Sequence, residues 1–75
     1  MRYLYNVFTD LGLECYMSEN KKTLKVYNDG IFIITLFKPH HYECLYLLPN
    51  QSDIKKAEIF TFHNQHSVID FVAYI

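Results

Sequence analysis

Apolar residues recur along this chain at two spacings, and the change from one to the other divides it. Leu4, Val7, Phe8 and Leu11 follow the i, i+3, i+4, i+7 rule that lines up one helix face, so residues 2–11 are predicted helical. Gly12 stands where a left-handed C-terminal cap is wanted. Leu13 is placed to fold back onto Phe8 in a Schellman closure. A helix this short is marginal alone and must dock on something. From Glu14 the spacing becomes two: residues 14–17 read as a strand, 18–22 as a polar turn, and 23–27 alternate with Leu24 and Val26 on one side.

Asn28-Asp29-Gly30 followed by Ile31-Phe32-Ile33-Ile34-Thr35-Leu36-Phe37 is a β-hairpin signal. A two-residue loop would set Leu24 opposite Thr35 and Lys25 opposite Ile34. A three-residue loop, a type I turn with a bulge at Gly30, sets Leu24 opposite Ile34 and Val26 opposite Phe32. The second choice gathers Leu24, Val26, Phe32, Ile34 and Leu36 on one face, and burial selects it because a slip of one residue mixes the faces. The other face of the second arm carries Ile31, Ile33 and Phe37, with Lys25 and Tyr27 beside it, and is too apolar to be simply wet.

Lys38-Pro39-His40-His41 interrupts the pattern. Residues 42–48 resume as a strand, with Tyr42, Cys44, Tyr46 and Leu48 on one side and Glu43, Leu45 and Leu47 on the other. Pro49-Asn50-Gln51-Ser52-Asp53 is a loop. A further strand is expected from about Lys56 to His63, in competition with a short helix from Asp53. Ser67-x-x-Asp70 is an imperfect capping box opening a last helix, whose Val68, Phe71, Val72 and Ile75 share a face. The expected fold is one small α+β domain over residues 1–75. It comprises an N-terminal helix, a four- to five-stranded antiparallel sheet and a C-terminal helix, with both helices packed on one sheet face.

Composition narrows the functions. A 51% hydrophobic, 20% charged chain is not a disordered tail. At 75 residues it can hide only about 60% of its unfolded surface, so it needs dense apolar packing. Two cysteines, Cys15 and Cys44, do not make a disulfide framework and read as free thiols of a cytoplasmic protein. Apolar runs such as 44–48 are too short to span a bilayer, and no signal peptide is legible, so no membrane partner is expected.

Catalytic and metal chemistry find little footing. His41-x-x-Cys44 and His63-x-x-His66, with His40 and Cys15 in reserve, offer zinc-type ligands. Yet residues three apart on a strand point to opposite faces, so no metal and no cofactor is expected. Ser18, Ser52 and Ser67 sit at turns or caps rather than in a nucleophile elbow. The acids are scattered, and Gly12 and Gly30 are used by the cap and the turn, leaving no phosphate loop. The chain is therefore expected not to be an enzyme.

Two binding classes remain. Lys21, Lys22 and Lys25 with Tyr16 could stack and neutralise single-stranded nucleic acid, with Lys55 and Lys56 as a second basic pair. Against this stand a net charge of −1 and a single arginine. The helix–strands–helix order is similar to that of a double-stranded-RNA-binding domain, but Asn64-Gln65-His66-Ser67 lacks that family's basic run. A tyrosine-rich, weakly charged surface suits a protein interface instead. Its candidates are Tyr27, Ile31, Ile33 and Phe37, joined by Tyr42 and Tyr46 if their strand turns the same way. A protein partner is expected, with a second copy of the chain as another occupant. In length, composition and lack of catalytic motif the chain resembles the short proteins of phages and mobile elements. That resemblance implies binding and blocking a host protein, as anti-CRISPR and other anti-defence inhibitors do.

Overall fold

A computed structural model describes residues 1–49 and 57–74. In chain order the elements are α1 (Arg2–Asp10), β1 (Glu14–Met17), β2 (Thr23–Tyr27), β3 (Ile31–Lys38), β4 (His41–Leu47), β5 (Glu58–Phe62) and α2 (Gln65–Ala73). The strands form one antiparallel sheet in the order β1-β2-β3-β4-β5, each paired with its neighbours in sequence. This is the expected α+β architecture, with five strands rather than four. The loop at 50–53, the competing helix from Asp53, the Lys55–Lys56 pair and Ile75 fall outside the described residues.

The β2–β3 register is the three-residue one: Leu24 faces Ile34 and Val26 faces Phe32. The loop conformation departs from the expected type I turn. Asp29 itself takes a left-handed φ of 51°, and Gly30 has a φ of 145°. Aspartate tolerates the left-handed region. Gly30 has no such substitute, because a Cβ there would lie 2.8 Å from the Leu47 carbonyl oxygen and 2.9 Å from Tyr46 Cε1. The closeness of β4 therefore shapes the turn.

Between β3 and β4 one residue is out of step. Leu36 pairs with Tyr42 and Lys38 with His41, leaving Phe37 as a bulge. A two-residue Pro39-His40 turn without that bulge would pair Phe37 with Tyr42 and Ile33 with Tyr46. It would also send Glu43 toward the helices. With the bulge, Tyr42 and Cys44 are buried and Glu43 stays at the surface, which avoids desolvating a carboxylate.

Both helices lie on the sheet face so defined. Leu4 and Phe8 of α1 and Val68 and Val72 of α2 form one buried cluster with Leu24, Val26, Phe32, Ile34, Tyr42 and Cys44. The apolar stripe of α1 runs three residues earlier than expected. Met1 and Tyr5 pack with Leu4 and Phe8, whereas Leu11 is half exposed because the helix has already ended. The Schellman closure is present: Gly12 N–H donates to the Thr9 carbonyl at 2.9 Å, Leu13 N–H donates to the Phe8 carbonyl at 3.0 Å, and Gly12 has φ 85°. At α2 the cap is Asn64 rather than Ser67. Its extended backbone lets the side chain accept from Ser67 N–H at 2.8 Å, so Ser67 occupies the third helical position. Phe71 of α2 is the aromatic hub, with its ring centroid 4.6 Å from Phe60, 5.2 Å from Phe62 and 5.6 Å from Phe32. Asn28 Nδ2 donates to the Val72 carbonyl at 2.8 Å, tying the hairpin loop to the same helix.

Gly30→Ala should cost about 2 kcal/mol or more, since strained backbone and a backbone clash coincide. Gly12→Ala, where the added methyl meets open space, should cost about 1 kcal/mol. Urea unfolding of the two variants tests this, and equal losses would contradict the close approach of β4 to the loop.

Candidate functional site

Among the described residues, no helix lies on the other sheet face. Reading across the paired strands gives the row Tyr16, Lys25, Ile33, Leu45, Ile59. On one side of it lie Glu14, Tyr27, Ile31 and Leu47, and on the other Thr23, Thr35, Glu43 and Thr61. The strand alternation that sends Leu24, Ile34 and Cys44 under the helices thus sends Lys25, Ile33 and Leu45 outward.

This face is apolar at its centre. Ile33 and Leu45 are half-buried by their neighbours, Ile59 is 63% exposed and Phe37 58% exposed. A shallow hollow of about 180 Å³ is lined by Ile33, Thr35, Phe37, Glu43, Leu45 and Ile59. Polar groups flank it. On one side Lys25 Nζ stands 5.4 Å from the centre of the Tyr27 ring, and the Tyr16 hydroxyl donates to Glu14 Oε1 at 2.7 Å. That bond and the nearby negative charge raise the Tyr16 pKa. On the other side Glu43 Oε2 lies 3.8 Å from His41 Nε2, and the His41 ring is 5.8 Å from that of His63.

Four of the expected interface residues, Tyr27, Ile31, Ile33 and Phe37, share this face. Tyr42 and Tyr46 do not, because the Phe37 bulge turns their side of β4 under the helices. Tyr42 is buried in the core, and Tyr46 stacks on Phe32 with ring centroids 4.6 Å apart. Leu45 and Ile59 take their place. The alternation of β4 and β5 had already separated both residues from the tyrosine and phenylalanine side; only the parity of the β3–β4 turn was missing. Of the basic set, Lys25 and the 56% exposed Tyr16 are neighbours on this face, while Lys21 and Lys22 sit in the β1–β2 turn.

His41 and Cys44 point to opposite faces. Among the described residues no three His, Cys, Asp or Glu side chains gather as a metal site would require. Cys15 and Cys44 are free thiols three strands apart, about 14 Å at the usual strand spacing, too far to bridge within one chain. Burial pushes the Cys44 thiol up to about 12 and also raises Cys15, against a hydrogen bond with Thr9 that lowers it. Among the described residues no helix is long and apolar enough to cross a membrane.

Native protein at mildly alkaline pH should therefore release one thiol equivalent to a disulfide reagent, from Cys15, with Cys44 appearing only on denaturation. Because the folded-state pKa of Cys44 lies above its unfolded value, the native chain holds the proton longer. Its contribution to stability is full below about pH 9 and is lost as pH rises toward 12. Cys44→Val should flatten that part of the stability profile. Equal reactivity of both thiols in the native state would contradict the buried position of Cys44. No protein-family model, curated protein or solved structure matches this chain.

Proposed function

We propose that this chain is a small non-enzymatic protein-binding module that inhibits or adapts a larger partner through its helix-free sheet face. In this reading it is a phage or mobile-element protein of the anti-defence or anti-CRISPR kind, acting in the cytoplasm of its host. The observation that carries the proposal is the stacking of both helices on one side of the sheet, which leaves Ile33, Leu45, Ile59 and Phe37 together on the other. Apolar and aromatic side chains grouped inside a polar border are the composition of an interface centre. The partner that fits is a protein surface with an apolar middle, an acidic group to meet Lys25 and a basic group to meet Glu43. A few anchors would carry most of the affinity, and the mechanism would be steric occlusion. Phosphate backbones suit the face less, because Glu14 and Glu43 share it with Lys25.

The double variant Tyr27→Ser/Ile33→Ser should keep a cooperative unfolding transition yet lose the partner captured from host extract by the wild type. Tyr3→Ser, on the outer side of α1 and 49% exposed, should retain it. Capture undiminished in the face variant would contradict the proposal. So would tight, salt-sensitive binding of a labelled single-stranded oligonucleotide through Lys21, Lys22, Lys25 and Tyr16, which would assign the surface to nucleic acid instead.

A further inference from the structure

Two of the charged residues on this face, Lys25 and Glu43, are placed so that a two-fold axis brings each near the other's counterpart. Lys25 lies one strand to one side of Ile33, and Leu45 one strand to the other; Glu43 is two residues along β4 from Leu45. A two-fold axis running along β3, between two sheets packed face to face, exchanges β2 with β4 and β1 with β5. Ile33 then meets Ile33, Tyr16 meets Ile59, and Lys25 of each copy arrives over Leu45, within reach of Glu43 of the other. An axis across the strands at the Ile33 row would instead set Lys25 against Lys25. Among the described residues Lys25 makes no ion pair, and Glu43 has only the 3.8 Å contact with His41.

Resting on the docking reading above, we infer that the occupant of this face in the free protein is a second copy of the chain. It packs sheet on sheet about a two-fold axis parallel to β3, with reciprocal Lys25–Glu43 pairs. Two-fold dimers with isologous interfaces are the commonest oligomers of soluble chains. Sheets packed this way sit about 10 Å apart with strands nearly aligned. The area sets the strength. Five strands about 4.8 Å apart, each some five residues long, present roughly 400 Å² a side. That lies below the roughly 1,200 Å² total of a stable interface. The dimer is therefore weak and concentration-dependent, and a partner that covers the same face displaces it.

Sedimentation of the full chain from about 1 µM to about 1 mM tests this. The expected result is a reversible monomer–dimer equilibrium. Lys25→Glu alone and Glu43→Lys alone should each weaken it by about tenfold or more, because each sets like charges together twice. The Lys25→Glu/Glu43→Lys double variant should dimerise again, and so should an equimolar mixture of the two single variants. Circular dichroism controls for folding. A wild type that stays monomeric throughout overturns the inference, as does a dimer indifferent to the reversals or one not restored by the double variant. None of these results decides whether the face captures a larger partner, which rests on the Tyr27→Ser/Ile33→Ser comparison.

Discussion

A lone carboxylate is costly to bury, and Glu43 stands between Tyr42 and the apolar run 44–47 of β4. Because side chains alternate along a strand, the face that Glu43 takes decides the face of every residue in β4. Through pairing, that choice also governs β5. The bulge at Phe37 resolves it by spending one unpaired residue, which sends Glu43 and Leu45 to the side away from the helices and Tyr42 and Cys44 beneath them; Leu47 alternates with Leu45 yet is buried. The three-residue loop at 28–30 performs the same service for β2 against β3. Two local irregularities therefore determine which apolar residues become core and which are left on the helix-free side.

The core that results is concentrated on one side. Phe71 gathers Phe32, Phe60 and Phe62 beneath α2, while Leu4 and Phe8 of α1 join the same buried cluster. Asn28 fastens the hairpin loop to α2. With both helices committed to this side, the opposite row of Tyr16, Lys25, Ile33, Leu45 and Ile59 is covered by no helix among the described residues. The functional proposal follows from that asymmetry rather than from any catalytic grouping.

Much of this is legible in the sequence. The change of spacing at Glu14, the left-handed cap at Gly12, the hairpin register and the two sides of β4 and β5 are each fixed by local chemistry. What escaped was parity across the Pro39-His40 turn. A bulge leaves no mark in composition, so the sequence places Tyr42 and Tyr46 on the outer face only if their strand turns that way. Leu45 and Ile59 are consequently absent from the interface that the sequence suggests. The burial cost of Glu43 was the available clue. The α2 cap differs from the expected one for another reason: Asn64 and Ser67 are both good caps three residues apart, and the local pattern does not choose between them. Leu11 fits the α1 periodicity yet lies outside the stripe, because periodicity alone does not mark where a helix stops.

The central claim is that one side of this sheet is core and the other is open in a single copy. Relaxation of methyl protons by a soluble gadolinium chelate, measured in dilute protein, tests it residue by residue. The account predicts strong enhancement at Ile59, a lesser but clear effect at Ile33 and Leu45, and almost none at Leu24, Ile34, Val68 and Val72. Protection of Ile33, Leu45 and Ile59 equal to that of Ile34 would contradict it.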